Sequence, residues 1–123
     1  NPDTLYYPAA YPTVIGVGSV NKNGRVSSFS QRNSSLTLVA LGERIWTVSK
    51  NGKALLASGT SYAAAFISGA AAALLHVCPE LTAAEVRDIL CESATDILET
   101  GYDMDSGWGI LNLEAGLKQV NQK

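Results

Sequence analysis

The run GTSYAAAFISGAAAALL, residues 59–75, constrains the fold of this chain more than any other segment. Between Ala63 and Leu75 the side chains are almost all small or aliphatic, and Pro79 follows soon after. Such a segment predicts a helix that is buried on nearly all sides. Gly69 in its middle costs about 1 kcal/mol of helix propensity relative to alanine. We therefore expect a neighbouring element to pack closely against Gly69.

The first half of the chain has the pattern of buried strands. Residues 13–20 (TVIGVGSV) and 36–41 (LTLVAL) are short apolar runs without polar alternation, which is typical of strands buried on both faces. Residues 44–48 and 54–57 flank an Asn-Gly turn signal and predict a hairpin.

Two amphipathic helices are predicted after the apolar run. Thr82 and Glu85 have the spacing of a capping box, and the residues that follow indicate a helix to about Ser93. Asn112 can cap a last helix that carries Leu117 on its apolar side. The whole pattern predicts an α/β layer structure, with buried strands first and covering helices after.

Composition limits the class of protein. A chain of 123 residues with 46% hydrophobic content is long enough for one domain, or part of one, across residues 1–123. The formal net charge is -2, with scattered lysines and arginines, so we expect neither nucleic acid nor an anionic membrane as a partner. The longest apolar stretch is interrupted by Ser68 and Gly69 and ends at His76, so we expect no membrane span.

Neither the two cysteines nor the first residues of the chain indicate the cellular compartment of the protein. Cys78 and Cys91 are too few for a disulfide framework. Free thiols are the default interpretation, and a bridge between two adjacent helices stays open. The chain begins at Asn1 without an initiator Met or a signal-type segment, so we expect an excised or processed segment and leave its localisation unknown.

Ser61 lies at the expected start of the apolar helix. Backbone N–H groups and partial positive charge at a helix N-terminus favour an anion, which suits the nucleophile and oxyanion donor of an acyl-transfer enzyme. A simpler interpretation is that the hydroxyls of Thr60 and Ser61 cap the helix.

Four segments together resemble the C-terminal half of a subtilisin-like serine protease, a member of the subtilase family. In chain order they are YYPAAYPTVIGVGSV, RVSSFS, LVALGERIWTV and the apolar run itself. Residues 59–63 (GTSYA) correspond to the family's nucleophile motif Gly-Thr-Ser-x-Ala, and the likeness extends over about residues 7–117. It implies part of a three-layer α/β fold, with a mostly parallel sheet covered by helices and the N-terminal half missing.

The resemblance also implies roles for particular residues. Ser61 would form the acyl-enzyme, and its backbone N–H, supported by Thr60, would be one oxyanion donor. The residues matching the primary specificity pocket are Tyr6, Tyr7, Pro8, Ala9 and Gly59. Tyr6 stands where glycine is frequent in the family, which would shrink or reshape that pocket. The implied substrate is a polypeptide, no cofactor is implied, and a secreted or cell-surface location is favoured by the resemblance only.

The rest of the catalytic machinery is expected upstream. Subtilases carry Asp, His and Ser in that chain order, so the acid, the base and the oxyanion asparagine would precede this chain. His76, the only histidine, lies about 22 Å along the same predicted helix from Ser61 at about 1.5 Å per residue, so it cannot be the base. We expect this chain alone to be inactive, because a serine hydroxyl without a base is a weak nucleophile.

A partial fold has a further consequence. The parallel sheet would have an unpaired edge and an uncovered apolar face. We therefore expect the chain either to bind the N-terminal portion of its own domain or to self-associate. The alternative function is a pseudoprotease or assembly module that keeps the subtilase fold without activity.

Other sites are disfavoured by the sequence. An α/β-hydrolase would need a Gly-x-Ser-x-Gly elbow, and the Ser-x-x-Lys pattern at Ser19 ends a strand rather than opening a helix. Asp103, Asp105 and Glu114 have EF-hand-like spacing, but glycine is missing where that loop needs its sharp turn. Thr37 stands where some subtilases carry an acidic metal ligand, so we expect no metal.

Overall fold

The computed structural model describes residues 4–122. Within that range the elements are, in chain order, β1 (Gly16–Val20), β2 (Leu36–Leu41), β3 (Ile45–Val48), β4 (Ala54–Ala57), α1 (Thr60–Val77), α2 (Ala83–Ser93) and α3 (Leu113–Asn121). The strands precede the helices, as the sequence predicts.

Parallel pairing forms the centre of the sheet. β1 pairs with β2 in parallel, with Val20 opposite Leu41. A third segment lies on the other edge of β2, because the Val39 N–H donates to the Gly109 carbonyl and the Leu111 N–H donates to the Val39 carbonyl, each at 2.9 Å. This arrangement confirms the mixed α/β class.

β1 is shorter than its sequence pattern indicates. It begins at Gly16 rather than Thr13, because the preceding residues form turns. The Val14 N–H donates to the Tyr11 carbonyl at 3.0 Å, and the Val14 carbonyl accepts from the Arg87 guanidinium at 3.0 Å. These backbone groups are therefore not available to a neighbouring strand.

The helices share one core with the sheet. α1 turns one stripe of apolar residues, at the spacing of a single helix face, toward β1 and β2. The buried members of this core are Leu38, Ala40, Ala63, Ile67, Ala70, Leu74, Val86, Ile89, Leu90 and Val120. A second, smaller cluster of Val20, Leu36 and Val39 packs with Ile97 and Ile110.

The predicted caps and the hairpin are confirmed. The Glu85 N–H donates to Thr82 Oγ1 at 3.1 Å, and the Thr82 N–H donates to Glu85 Oε1 at 3.2 Å. Asn112 caps α3 by accepting from the Ala115 N–H at 3.0 Å. β3 and β4 pair antiparallel across the Asn-Gly turn. Both cysteines are free, so the open alternative of a bridge is wrong.

α1 is less buried than the sequence predicts, and the expectation of burial on nearly all sides is wrong for this chain. Only 22% of its residues are buried, and Phe66 is 45% exposed. Apart from Gly69 itself, its two chain neighbours and the adjacent backbone of α1, no atom of the described residues lies within 4 Å of a Cβ placed on Gly69, so the close neighbour expected there is not found among residues 4–122.

The expectation that no apolar stretch is long enough for a membrane span also needs correction. α1 has 18 residues with a mean hydropathy of 1.4, which meets the length and composition of a span. Its buried stripe packs in the α/β core through residues such as Ile67 and Leu74.

The backbone is crowded where β2 ends. The Gly59 N–H donates to the Gly42 carbonyl at 2.7 Å, and the Gly42 N–H donates to the Val20 carbonyl at 3.0 Å. A Cβ at position 42 would lie 2.8 Å from the Gly59 carbonyl oxygen and against Ser19 Oγ. Only glycine fits this position without a backbone shift.

Replacing Gly42 with alanine tests this close approach. We expect Gly42→Ala to lower the free energy of unfolding of the 123-residue chain by about 1–3 kcal/mol, the usual cost of overpacking. Gly69→Ala is the control, because the space around it is empty, and it should raise helix stability by up to about 1 kcal/mol. Urea denaturation measures both, and equal stabilities of the two variants would contradict the steric argument.

Candidate active site

Ser61 is the second residue of α1, and its side chain is exposed. Gly59 is the N-cap, and no side chain caps this helix end. The simpler interpretation, in which Thr60 and Ser61 cap the helix, is therefore wrong. The first backbone N–H groups of a helix have no acceptors within it, and they carry the positive end of the helix dipole. Ser61 thus places a hydroxyl beside donors suited to an anion.

Backbone contacts to the loop after β2 hold the residues before Ser61 in place. Gly59 is bound to Gly42, as described above, and Ser58 Oγ accepts from the Arg44 N–H at 2.9 Å. Arg44 has a φ of 54°, a left-handed conformation that few residues other than glycine adopt. These contacts fix Ser61 beyond the carboxyl end of β2, which is where open α/β sheets bind their ligands.

Buried serines reinforce the same end of the sheet. Ser19 Oγ lies 2.8 Å from Ser27 Oγ, and the Ser19 N–H donates to Ser30 Oγ at 2.9 Å. Because Ser19 is buried within β1 and engaged in these bonds, the Ser-x-x-Lys pattern that begins there is structural. Sequence reasoning used the RVSSFS segment only as part of a resemblance and missed this role.

The predicted pocket segment lies before β1 as a series of turns. The Ala10 N–H donates to the Tyr6 carbonyl at 2.8 Å, and the Tyr11 N–H donates to the Pro8 carbonyl at 3.0 Å. The rings of Tyr7 and Tyr11 meet edge to face at 4.8 Å, and both are exposed. No hydrogen bond of the described residues joins Tyr6–Ala9 to Gly59–Ser61, so the pocket role of this segment stays a prediction.

His76 and Cys91 offer no catalytic alternative. His76 lies exposed in the last turn of α1, at the opposite end from Ser61. Cys91 lines a cavity of about 570 Å³ on α2. Burial raises the pKa of the Cys91 thiol; the Arg87 charge opposes this, while Asp88 and Glu92 add to it. Burial thus disfavours the thiolate, the form of cysteine that acts as a nucleophile.

The acidic loop near the C-terminus is a hydrogen-bonded turn. The Asp103 carboxylate accepts from the Asp105 N–H at 2.9 Å and from the Ser106 N–H and hydroxyl at 2.7 Å each. Asp105 pairs with Arg32 at 3.6 Å. Between residues 4 and 122 no three His, Cys, Asp or Glu side chains are grouped to hold a metal ion.

Comparison with known sequences identifies the family. Residues 1–109 match the profile of the subtilase family. The chain is 35% identical over 113 residues to subtilisin DY of Bacillus licheniformis, covering 92% of this chain and 40% of that protein. It is 38% identical over 112 residues to subtilisin E of Bacillus subtilis strain 168, covering 91% of this chain and 29% of that protein. The chain thus spans less than half the length of these relatives.

Solved structures of subtilisin-like proteases have the same fold. The Clostridium perfringens CspB protease superposes with a TM-score of 0.89 at 29% identity, covering 98% of this chain and 30% of that one. Fervidolysin from Fervidobacterium pennivorans, a keratinolytic enzyme related to subtilisin, gives a TM-score of 0.84 at 30% identity, covering 91% and 20%. The profile match and the shared fold show that this chain belongs to the subtilase family.

Proposed function

We propose that this chain supplies the nucleophile of a serine endopeptidase that acts on polypeptides. The observation that carries the proposal is the exposed Ser61 hydroxyl at an uncapped helix start. Such a helix end can stabilise an oxyanion through its backbone N–H groups. The contacts of Gly59 with Gly42 and of Ser58 with Arg44 support it, because they fix the nucleophile before substrate arrives.

In the proposed reaction, Ser61 Oγ attacks the carbonyl carbon of the scissile bond. A histidine from the upstream part of the domain takes the hydroxyl proton and returns it to the leaving amine, and an aspartate orients that histidine. The Ser61 N–H, supported by Thr60, and an upstream asparagine stabilise the oxyanion. Water then hydrolyses the acyl-enzyme. The chain by itself would be inactive, since it contains no base for Ser61.

We further propose that the upstream part of the domain covers the outer face of α1. A groove, here called the α1–β3 groove, lies between that face and the hairpin. Its apolar lining includes Ile45, Trp46, Tyr62, Ala65 and Phe66. Because the chain spans only 29–40% of the two relatives compared, the missing length is enough to supply this cover. Without it, the groove would drive self-association.

Labelling with a fluorophosphonate probe tests the nucleophile. The full-length protein should be labelled at Ser61, because the probe reacts only with a serine that an adjacent base activates. Ser61→Ala should abolish labelling. Ser68→Ala removes another exposed serine from the same helix and should leave labelling intact. An unlabelled wild-type protein, or labelling that survives in Ser61→Ala, would instead favour the pseudoprotease alternative.

Peptide-library profiling tests the pocket role of Tyr6. Removing its side chain in Tyr6→Gly should enlarge the pocket and raise the relative kcat/KM for bulky side chains before the scissile bond by about tenfold or more. Tyr6→Phe keeps the ring and should retain the wild-type preference. An identical profile in Tyr6→Gly would remove Tyr6 from the pocket.

Sedimentation velocity of the 123-residue chain tests the uncovered groove. We expect association that grows with protein concentration, and Phe66→Ser should weaken it because Phe66 lines the α1–β3 groove. Phe29→Ser is the matched control, since Phe29 is 47% exposed and Phe66 45%. A stable, folded monomer of the wild-type chain would contradict the proposal.

A further inference from the structure

The segment that carries the predicted pocket wall is anchored at two distant points. Asn33 Nδ2 donates to the Thr4 carbonyl at 3.1 Å, and the Asn33 side chain is buried. Arg87 Nη1 donates to the Val14 carbonyl at 3.0 Å. Residues 4–14 contain no regular element, so these anchors and the turns between them determine where the wall lies.

Arg87 joins three parts of the fold through one guanidinium. It projects from α2 to the wall segment at Val14, and its Nη2 lies 3.4 Å from Thr37 Oγ1 on β2. The same Thr37 oxygen, which is buried, accepts from the Gly16 N–H at 3.2 Å. A planar guanidinium presents its N–H donors in a rigid fork, so one orientation can serve both acceptors, whereas a lysine ammonium carries its donors on a flexible stem without that fixed geometry.

A continuous set of turns connects Val14 to Tyr6. The Val14 N–H donates to Tyr11, the Tyr11 N–H donates to Pro8, and the Ala10 N–H donates to Tyr6, at 3.0, 3.0 and 2.8 Å. The Arg87 bond therefore restrains one end of this set of turns, and the Asn33 bond to Thr4 restrains the other.

The space behind the segment makes the anchor necessary. A cavity of about 340 Å³ lies between the turns and residues 34–37, with Tyr102 and Trp108 on its far side. The Tyr102 hydroxyl oxygen lies 2.9 Å from the Ser34 carbonyl and 2.7 Å from the Leu36 carbonyl, and its one proton serves these two acceptors, which holds Tyr102 against residues 34–36. Because the cavity leaves the turns without close-packed support there, hydrogen bonds must hold the segment.

We propose that Arg87 is a positioning residue for substrate selection: its bond to the Val14 carbonyl fixes the wall at Tyr6–Ala9 and so sets the preference for the side chain before the scissile bond. This inference rests on the proposed function. Arg87 touches no substrate and acts through the backbone of the wall. Ser61 depends on other contacts, those of Gly42 and Arg44, so the two parts of the site are separable.

Kinetics of the full-length protein distinguish positioning from general stability. Two peptides that differ only in alanine or phenylalanine before the scissile bond are compared in Arg87→Ala. The ratio of their kcat/KM values, which measures the preference between the two peptides, should change about tenfold in the direction of no preference. The change should lie in KM, with kcat within about twofold of wild type. Arg87→Lys keeps a donor for the Val14 carbonyl without the fixed fork and should shift the ratio less than Arg87→Ala, and Arg25→Ala, which removes an exposed arginine, should behave like wild type.

Adding guanidinium ion to Arg87→Ala tests whether the guanidinium group itself sets the substrate preference. A loss of general stability would not be repaired by this ion. Guanidinium ion at low millimolar concentration should bind between Val14 and Thr37 in Arg87→Ala and restore the wild-type ratio. Urea, which has the same shape without the charge, and sodium chloride at equal ionic strength should not. An unchanged ratio in Arg87→Ala, or a fall in kcat that is equal for both peptides, would overturn the proposal.

Hydrogen exchange tests the positioning role of Arg87 independently of the proposal that Ser61 is the nucleophile. In Arg87→Ala the backbone amides of residues 6–14, other than Pro8 and Pro12, should exchange faster than in wild type and recover with guanidinium, whether or not the protein cleaves peptides. Unchanged exchange would overturn the positioning role even where fluorophosphonate labels Ser61. Absent labelling in wild type with altered exchange would overturn the proposed function and leave the anchor established.

Discussion

The backbone contact between Gly42 and Gly59 is the constraint on which the rest of the site depends. It ties the end of the central strand β2 to the start of α1 at 2.7 Å. α1 then packs its buried stripe along the sheet, so the direction of the helix and the position of its first residues are set together. Ser61 is held by backbone, which costs no side-chain entropy on substrate binding.

The crowding at the end of β2 falls on one residue. Leu41, the last residue of the strand, is half-buried, whereas a Cβ at position 42 would meet Ser19 and Gly59. Position 42 is thus where two backbones touch.

Local signals made part of the fold predictable. The hairpin, the Thr82–Glu85 capping box and the Asn112 cap are each encoded within a few neighbouring residues, and the structure has all of them. The short GTSYA motif identified Ser61 as a candidate nucleophile. The Arg87 bond to Val14 joins positions 73 residues apart, so no local pattern could reveal it. Composition overestimates the burial of α1, because a run of apolar residues does not say which of them have neighbours.

The hairpin has a consequence for spectroscopy. The chain has two tryptophans, and they differ in surroundings. Trp46 on β3 is 70% exposed at the edge of the α1–β3 groove, whereas Trp108 packs edge to face on Tyr102 at 5.4 Å. Any partner that fills the groove would remove water from the Trp46 indole. The fluorescence of Trp46 therefore reports whether the α1–β3 groove is filled.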